Sequence, residues 1–209
     1  MNSDYLKGKY VIISGGSHGI RLEIAKKLGT LGANITIFSR SKRKLSNASK
    51  IFKEKKIKHL TIQADILLKN SCKKIFNLHK KFSKNKIDIL INNVGGGGRW
   101  GDKVIENTKM NVWEDVYKKN VSSAIELTMM SIKLMKKNKW GRVITISSIH
   151  GKEAGGLPWF NMSKAAQISL MKSLSIQKYL VRSGITFNTV APGAIYIKNT
   201  GIEKLKLKN

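Results

Sequence analysis

The sequence predicts an α/β protein: a doubly wound parallel sheet of about six strands with helices on both faces. Three observations predict it. Six short, mostly β-branched apolar runs recur along the chain, each of strand length. Longer segments between them carry apolar residues at helical spacing. A glycine-rich turn joins the first run to the first helical segment.

The runs are residues 10–14, 35–38, 59–63, 87–91, 142–146 and 185–190. Their apolar character is nearly continuous, as strands buried on both faces require. Segment 20–31 carries Ile20, Ile24, Leu28 and Leu31 on one helical face, and 71–82 carries Cys72, Ile75, Phe76, His79 and Phe82. Segments 111–137 and 161–182 are longer. Their apolar positions include Met129, Met130, Met135, Met162 and Met171, which suit core filling or a subunit contact. Strand–helix alternation with right-handed crossovers gives an open sheet of the Rossmann type. A length of 209 residues, without an internal repeat or a linker, suits one domain over residues 1–209.

Composition narrows the function classes. Forty Lys and Arg oppose 12 Asp and Glu, a formal charge of +28. Such a surplus attracts phosphate, but only six of the basic residues are Arg, and the lysines are spread along the helical segments beside apolar residues. Sixteen Asn accompany them, which points to a compositional bias and argues against a nucleic-acid partner. The field still favours anionic small ligands. The apolar runs are too short to cross a bilayer, and the N-terminus lacks the apolar stretch of a secretory signal. Cys72 is the single cysteine, and His18, His59 and His79 show no metal-ligand spacing, so no metal site is expected. The expectation is a cytoplasmic protein.

The turn reads Ser14-Gly15-Gly16-Ser17-His18-Gly19-Ile20-Arg21 between the first strand and a helix. Glycines there let the backbone approach a diphosphate, and the helix start offers free N–H groups. The turn resembles the T-G-x-x-x-G-x-G loop of the short-chain dehydrogenase/reductase family, with Ser14 in the Thr place and Gly15 and Gly19 matching. Arg21 stands where the third Gly belongs: it either swings outward, weakens the fit or adds a phosphate contact. Further matches follow at the family's spacing. Arg40 ends the second strand, with Lys42 and Arg43 just beyond. A basic residue there suits the 2′-phosphate of NADP better than the bare ribose of NAD. Asp65 matches the acid that contacts the adenine amino group. Asn92-Asn93-Val94-Gly95 resembles the N-N-A-G stretch that shapes the cofactor crevice, and glycines continue through Gly98. Pro192-Gly193 resembles the turn beside the nicotinamide. The resemblance spans residues 6 to about 197.

By the same resemblance, Asn120 matches the Asn that supports a proton-relay water, Ser148 the Ser that hydrogen-bonds the substrate oxygen, and Lys164 the Lys that binds the nicotinamide ribose. Four residues before Lys164 the family places its tyrosine acid; this chain has Phe160. Phenylalanine donates no proton, and loss of a positioned acid costs about 10²–10⁴-fold in rate. The substitutes are His150, Ser148 itself, or a water held by Lys164. The resemblance therefore implies an NADP-preferring oxidoreductase acting on a small carbonyl or alcohol, impaired at its acid, or else a non-catalytic dinucleotide-binding scaffold. It implies a homodimer or homotetramer paired through the two long helices. Ile197 stands where a Thr meets the carboxamide, and the family's lid and last strand are expected to be missing after it.

Overall fold

A computed structural model describes residues 4–97 and 100–195. Strands β1 (Tyr10–Ser14), β2 (Asn34–Ser39), β3 (His59–Gln63), β4 (Ile89–Asn92), β5 (Gly141–Ile146) and β6 (Ile185–Val190) are all parallel. They pair in the order β3-β2-β1-β4-β5-β6. The chain steps outward from β1 to β3, returns to the other side of β1 at β4, and steps outward again. The connections leaving β1 and β4 diverge, which opens a crevice at the C-terminal end of the sheet.

Alternate residues of each strand face opposite layers. Val11, Ile13, Ile35 and Ile37 pack against α1 (Ile20–Thr30) and α2 (Lys42–Glu54). Ile12, Leu90, Val143 and Phe187 pack on the other side, against α3 (Ser71–Ser83) and α5 (Ser123–Lys137). Apolar side chains fill both layers, so the inner strands carry near-continuous apolar runs, while the edge strand β6 alternates buried Ile185 and Phe187 with exposed Thr186 and Asn188. Helix α4 (Met110–Tyr117) runs into α5 through a π turn over Lys118–Ser122, and α6 (Pro158–Ser175) precedes the short α7 (Lys178–Val181).

The expected elements are present, with three differences. Helix α2 adds to the segments expected from the sequence: Ser41 caps it by accepting from the Lys44 N–H at 3.3 Å, and Leu45, Ala48 and Phe52 bury its inner face. The expected helix over 161–182 is two helices, because Gln177 takes ψ 107 and leaves the helical region before Leu180 reaches the core. The expected strand at 87–91 is hydrogen-bonded as β4 from Ile89, with Ile87 buried ahead of it. Of the methionines, Met135 and Met171 are core, whereas Met129 and Met162 are exposed. Gly98, Ile197 and residues 198–209 lie outside the described residues.

Candidate functional site

The crevice holds two adjoining cavities of about 280 and 310 Å³. The first lies over the ends of β1, β2 and β3. Ser14, at the end of β1, accepts hydrogen bonds from the Asn93 and Val94 N–H groups at 2.6 and 2.7 Å. One hydroxyl thus ties the glycine turn to the stretch after β4. Gly19 starts α1 at φ 59, ψ −149, a conformation that a side chain would strain. Ser17 is buried beneath the turn, and His18 stands at its rim 3.4 Å from the Ser17 hydroxyl. Partial burial, then Arg21 and Lys44, hold the His18 pKa below its ordinary value.

Across this cavity Arg40 and Asp65 approach to 3.8 Å. Lys44, on the first turn of α2, and Lys119 complete a cationic wall. Lys119 sits 4.4 Å over the Trp100 ring, and its pKa is lowered by burial, then by Arg40 and Arg21, with Asp65 opposing. Arg21 turns inward: with Gly95 it lines both cavities. Gly95 is a close approach. A Cβ there would come within 2.7 Å of Asn120 Oδ1 and 3.1 Å of Lys164 Nζ.

The second cavity gathers Ile20, Asn93, Ser148, Phe160, Lys164, Pro192 and Gly193. Lys164 is buried on α6. Its Nζ donates to the Ile146 carbonyl at 3.1 Å and to Gln167 Oε1 at 3.0 Å, and lies 5.6 Å from the Phe160 ring centre. Burial, then Arg21, bring its pKa down to about 8. Asn120, fully buried in the π turn, donates through Nδ2 to the carbonyls of Val116 and Gly96, while its Oδ1 accepts from the Gly96 N–H. The bond to the Val116 carbonyl, four residues back, reaches from the π turn to the end of α4. The Asn120 carbonyl itself accepts from Gln167 Nε2 at 2.7 Å. Gln167 therefore bridges Lys164 to Asn120, where the resemblance puts a relay water.

Two expected site residues are placed elsewhere. Asn92 is turned into the core, its Nδ2 donating to Thr128 at 2.9 Å, and Asn93 is the one that lines the cavity. His150 does not line the cavity; its ring packs edge-on behind Phe160 at 6.5 Å between centres. Three residues at the site went unread in the sequence. Gln167 joins segments far apart in the chain, and Lys119 and Lys44 belong to helical lysine runs that look like solvated faces. Trp159, one residue before Phe160, is fully buried and donates from Nε1 to the Gly97 carbonyl at 3.0 Å, pinning the glycine stretch.

A parallel six-stranded sheet with a glycine turn at its reversal point defines a Rossmann-type α/β protein. A profile described as short chain dehydrogenase matches residues 9–206. The chain belongs to the short-chain dehydrogenase/reductase family of oxidoreductases. It is 32% identical over 211 residues to a 3-oxoacyl-(acyl-carrier-protein) reductase of Aquifex aeolicus, covering 97% of this chain and 81% of that one. It is 35% identical over 204 residues to the protein of the same name from Rickettsia conorii, covering 97% and 78%. Among solved structures, a 7α-hydroxysteroid dehydrogenase complexed with NADH and 7-oxo glycochenodeoxycholic acid superposes with a TM-score of 0.87 at 25% identity, covering 99% of this chain and 80% of the other. The actinorhodin polyketide ketoreductase with NADPH gives 0.82 at 25% identity, covering 90% and 70%. Among the described residues, no helix is long and apolar enough to cross a membrane.

Proposed function

We propose that the chain is an NADPH-preferring oxidoreductase that interconverts a carbonyl and a secondary alcohol, slowed by the missing hydroxyl at Phe160. The observation that carries the reading is one crevice with two chemistries, a cationic end around Arg40 and Lys44 and an end where Ser148 and Lys164 share a cavity with Phe160. The donor set fits the coenzyme. Arg40 and Lys44 suit a 2′-phosphate and Asp65 the adenine amino group. The turn from Gly15 to Ile20 suits the diphosphate, with Val94 and bare Gly95 leaving room beside it. Lys164, Pro192 and Gly193 suit the nicotinamide end.

A bound NADPH would supply the hydride for the carbonyl carbon. Ser148 donates a hydrogen bond to the carbonyl oxygen and polarises it. Lys164 gives that oxygen its proton, directly or through one water; Ile146 and Gln167 hold two of its three N–H groups. His150, outside the cavity, takes no part. With the Lys164 pKa at about 8, reduction slows as pH rises through that value. The names of the relatives make 3-oxoacyl thioesters the first substrates to test.

Phe160 supports a second reading, a scaffold that binds dinucleotide without turnover. The experiment is titration with NADPH and NADH, followed by rate measurements on Phe160→Tyr. Binding of NADPH in preference to NADH, with a rate gain of about 10²–10⁴-fold in the variant, supports the impaired enzyme. Binding without any gain supports the scaffold. A folded sample that takes neither coenzyme overturns both.

A further inference from the structure

We infer that Arg21 is a diphosphate-binding residue, its guanidinium clamping the ligand at the junction of the two cavities. The inference rests on the coenzyme reading above and deepens it. Arg21 is the second residue of α1, where the family's loop has its third glycine. Its side chain does not swing out to solvent. Nη1 lies 3.0 Å, and Cδ 3.3 Å, from the place a Cβ on Gly15 would take, so the chain folds back beneath the turn. Of the described residues lining the crevice, only Arg21 and Gly95 belong to both cavities, and Gly95 offers no side chain.

The guanidinium is partly buried and makes no hydrogen bond or ion pair with any described residue. Its N–H donors open onto the two cavities and find no acceptor among the described residues, so they are free to take one from a ligand. Its surroundings point the same way. The field of Arg21 reaches His18 and Lys119 on the adenosine side and Lys164 on the reaction side, and all three are cation-formers. The cavity's carboxylate, Asp65, is engaged by Arg40. A ligand that neutralises this junction carries its charge in the middle and groups of different chemistry at its two ends. The diphosphate of a dinucleotide does so, and a forked guanidinium matches two phosphoryl oxygens bidentately.

The test is calorimetric titration of the intact chain and of Arg21→Gly, Arg21→Ala and Arg21→Lys, with thermal unfolding as the folding control. The probes are NADPH and adenosine 2′-monophosphate, which lacks the diphosphate. The expected result is NADPH affinity weakened about tenfold to a hundredfold in the Gly and Ala variants, and less in the Lys variant. Affinity for adenosine 2′-monophosphate stays unchanged. Equal weakening of both probes would place Arg21 on the 2′-phosphate and overturn the inference. Unchanged or tighter NADPH binding in Arg21→Gly would make Arg21 neutral or an obstruction, overturning it while leaving the coenzyme reading intact. Failure of the folded parent to bind NADPH removes the coenzyme reading itself.

Discussion

Gln167 shows how one amide can join two parts of a site. Its oxygen accepts from the Lys164 ammonium and its nitrogen donates to the Asn120 carbonyl, all within a fully buried contact. An amide fixes these groups but passes no proton along. Gln167→Leu removes an acceptor that favours the charged lysine, so the Lys164 pKa falls below about 8. The expected outcome is that NADPH affinity, followed by fluorescence titration across pH, begins to fail at lower pH than in the parent. His79 is the second residue whose charge is set by burial. The Thr36 hydroxyl lies 2.9 Å from its Nδ1, and its Nε2 donates to the Lys86 carbonyl at 2.9 Å, so both nitrogens are used in the neutral ring. Burial brings its pKa down to about 4 against partial opposition from Lys86 and Asp88. Between pH 6.5 and 4 the unfolded chain therefore binds a proton that the folded chain refuses, and stability falls as pH drops through that window by up to about 3 kcal/mol. Urea unfolding at pH 7 and pH 4.5 measures the loss, and in His79→Gln this part of the slope disappears.

At the scale of elements, the N-terminus of α2 depends on one hydroxyl. Ser41→Ala leaves the Lys44 N–H without its acceptor and costs about 1 kcal/mol, while Ser41→Asp retains the cap; the urea midpoint reports both. This helix was also the least legible in the sequence. Only Leu45, Ala48 and Phe52 bury it, and lysines dominate the rest. The inner strands were legible because both faces of the sheet are covered there, so each carries a dense apolar run, and β6 was legible from the alternation of buried Ile185 and Phe187 with exposed Thr186 and Asn188. The break after α6 was hidden because the apolar spacing from Met171 runs on to Leu180, although the backbone leaves the helix at Gln177. The site divides in the same way. Gly15, Ser148, Phe160 and Lys164, which motif spacing singled out, are fixed by position along elements and line the crevice. Gln167, Asn93 and Trp159 act through contacts made only when distant segments meet. A doublet such as Asn92-Asn93 carries no signal for which side chain faces the core and which the crevice.

For the whole molecule the charge of +28 decides the sign of the salt effect on assembly. The long helices leave Met110, Tyr117, Ile125, Met129 and Met162 exposed between 36% and 69%, more apolar surface than their polar faces need. Pairing of two chains through these helices, the arrangement expected from the family resemblance, buries that surface but brings two strongly positive bodies together. Salt screens the repulsion over about 8–10 Å at physiological strength without weakening apolar burial. Self-association through these helices would therefore strengthen as salt rises, the opposite of the salt response that phosphate-driven binding to nucleic acid would show. Sedimentation equilibrium at low and moderate salt is expected to give a dimer or tetramer whose dissociation constant falls with added salt. Met129→Lys introduces a further charge at the contact and shifts the chain towards monomer at every salt concentration. A parent that stays monomeric throughout, or whose association weakens with salt, rules out helix pairing as the driving contact.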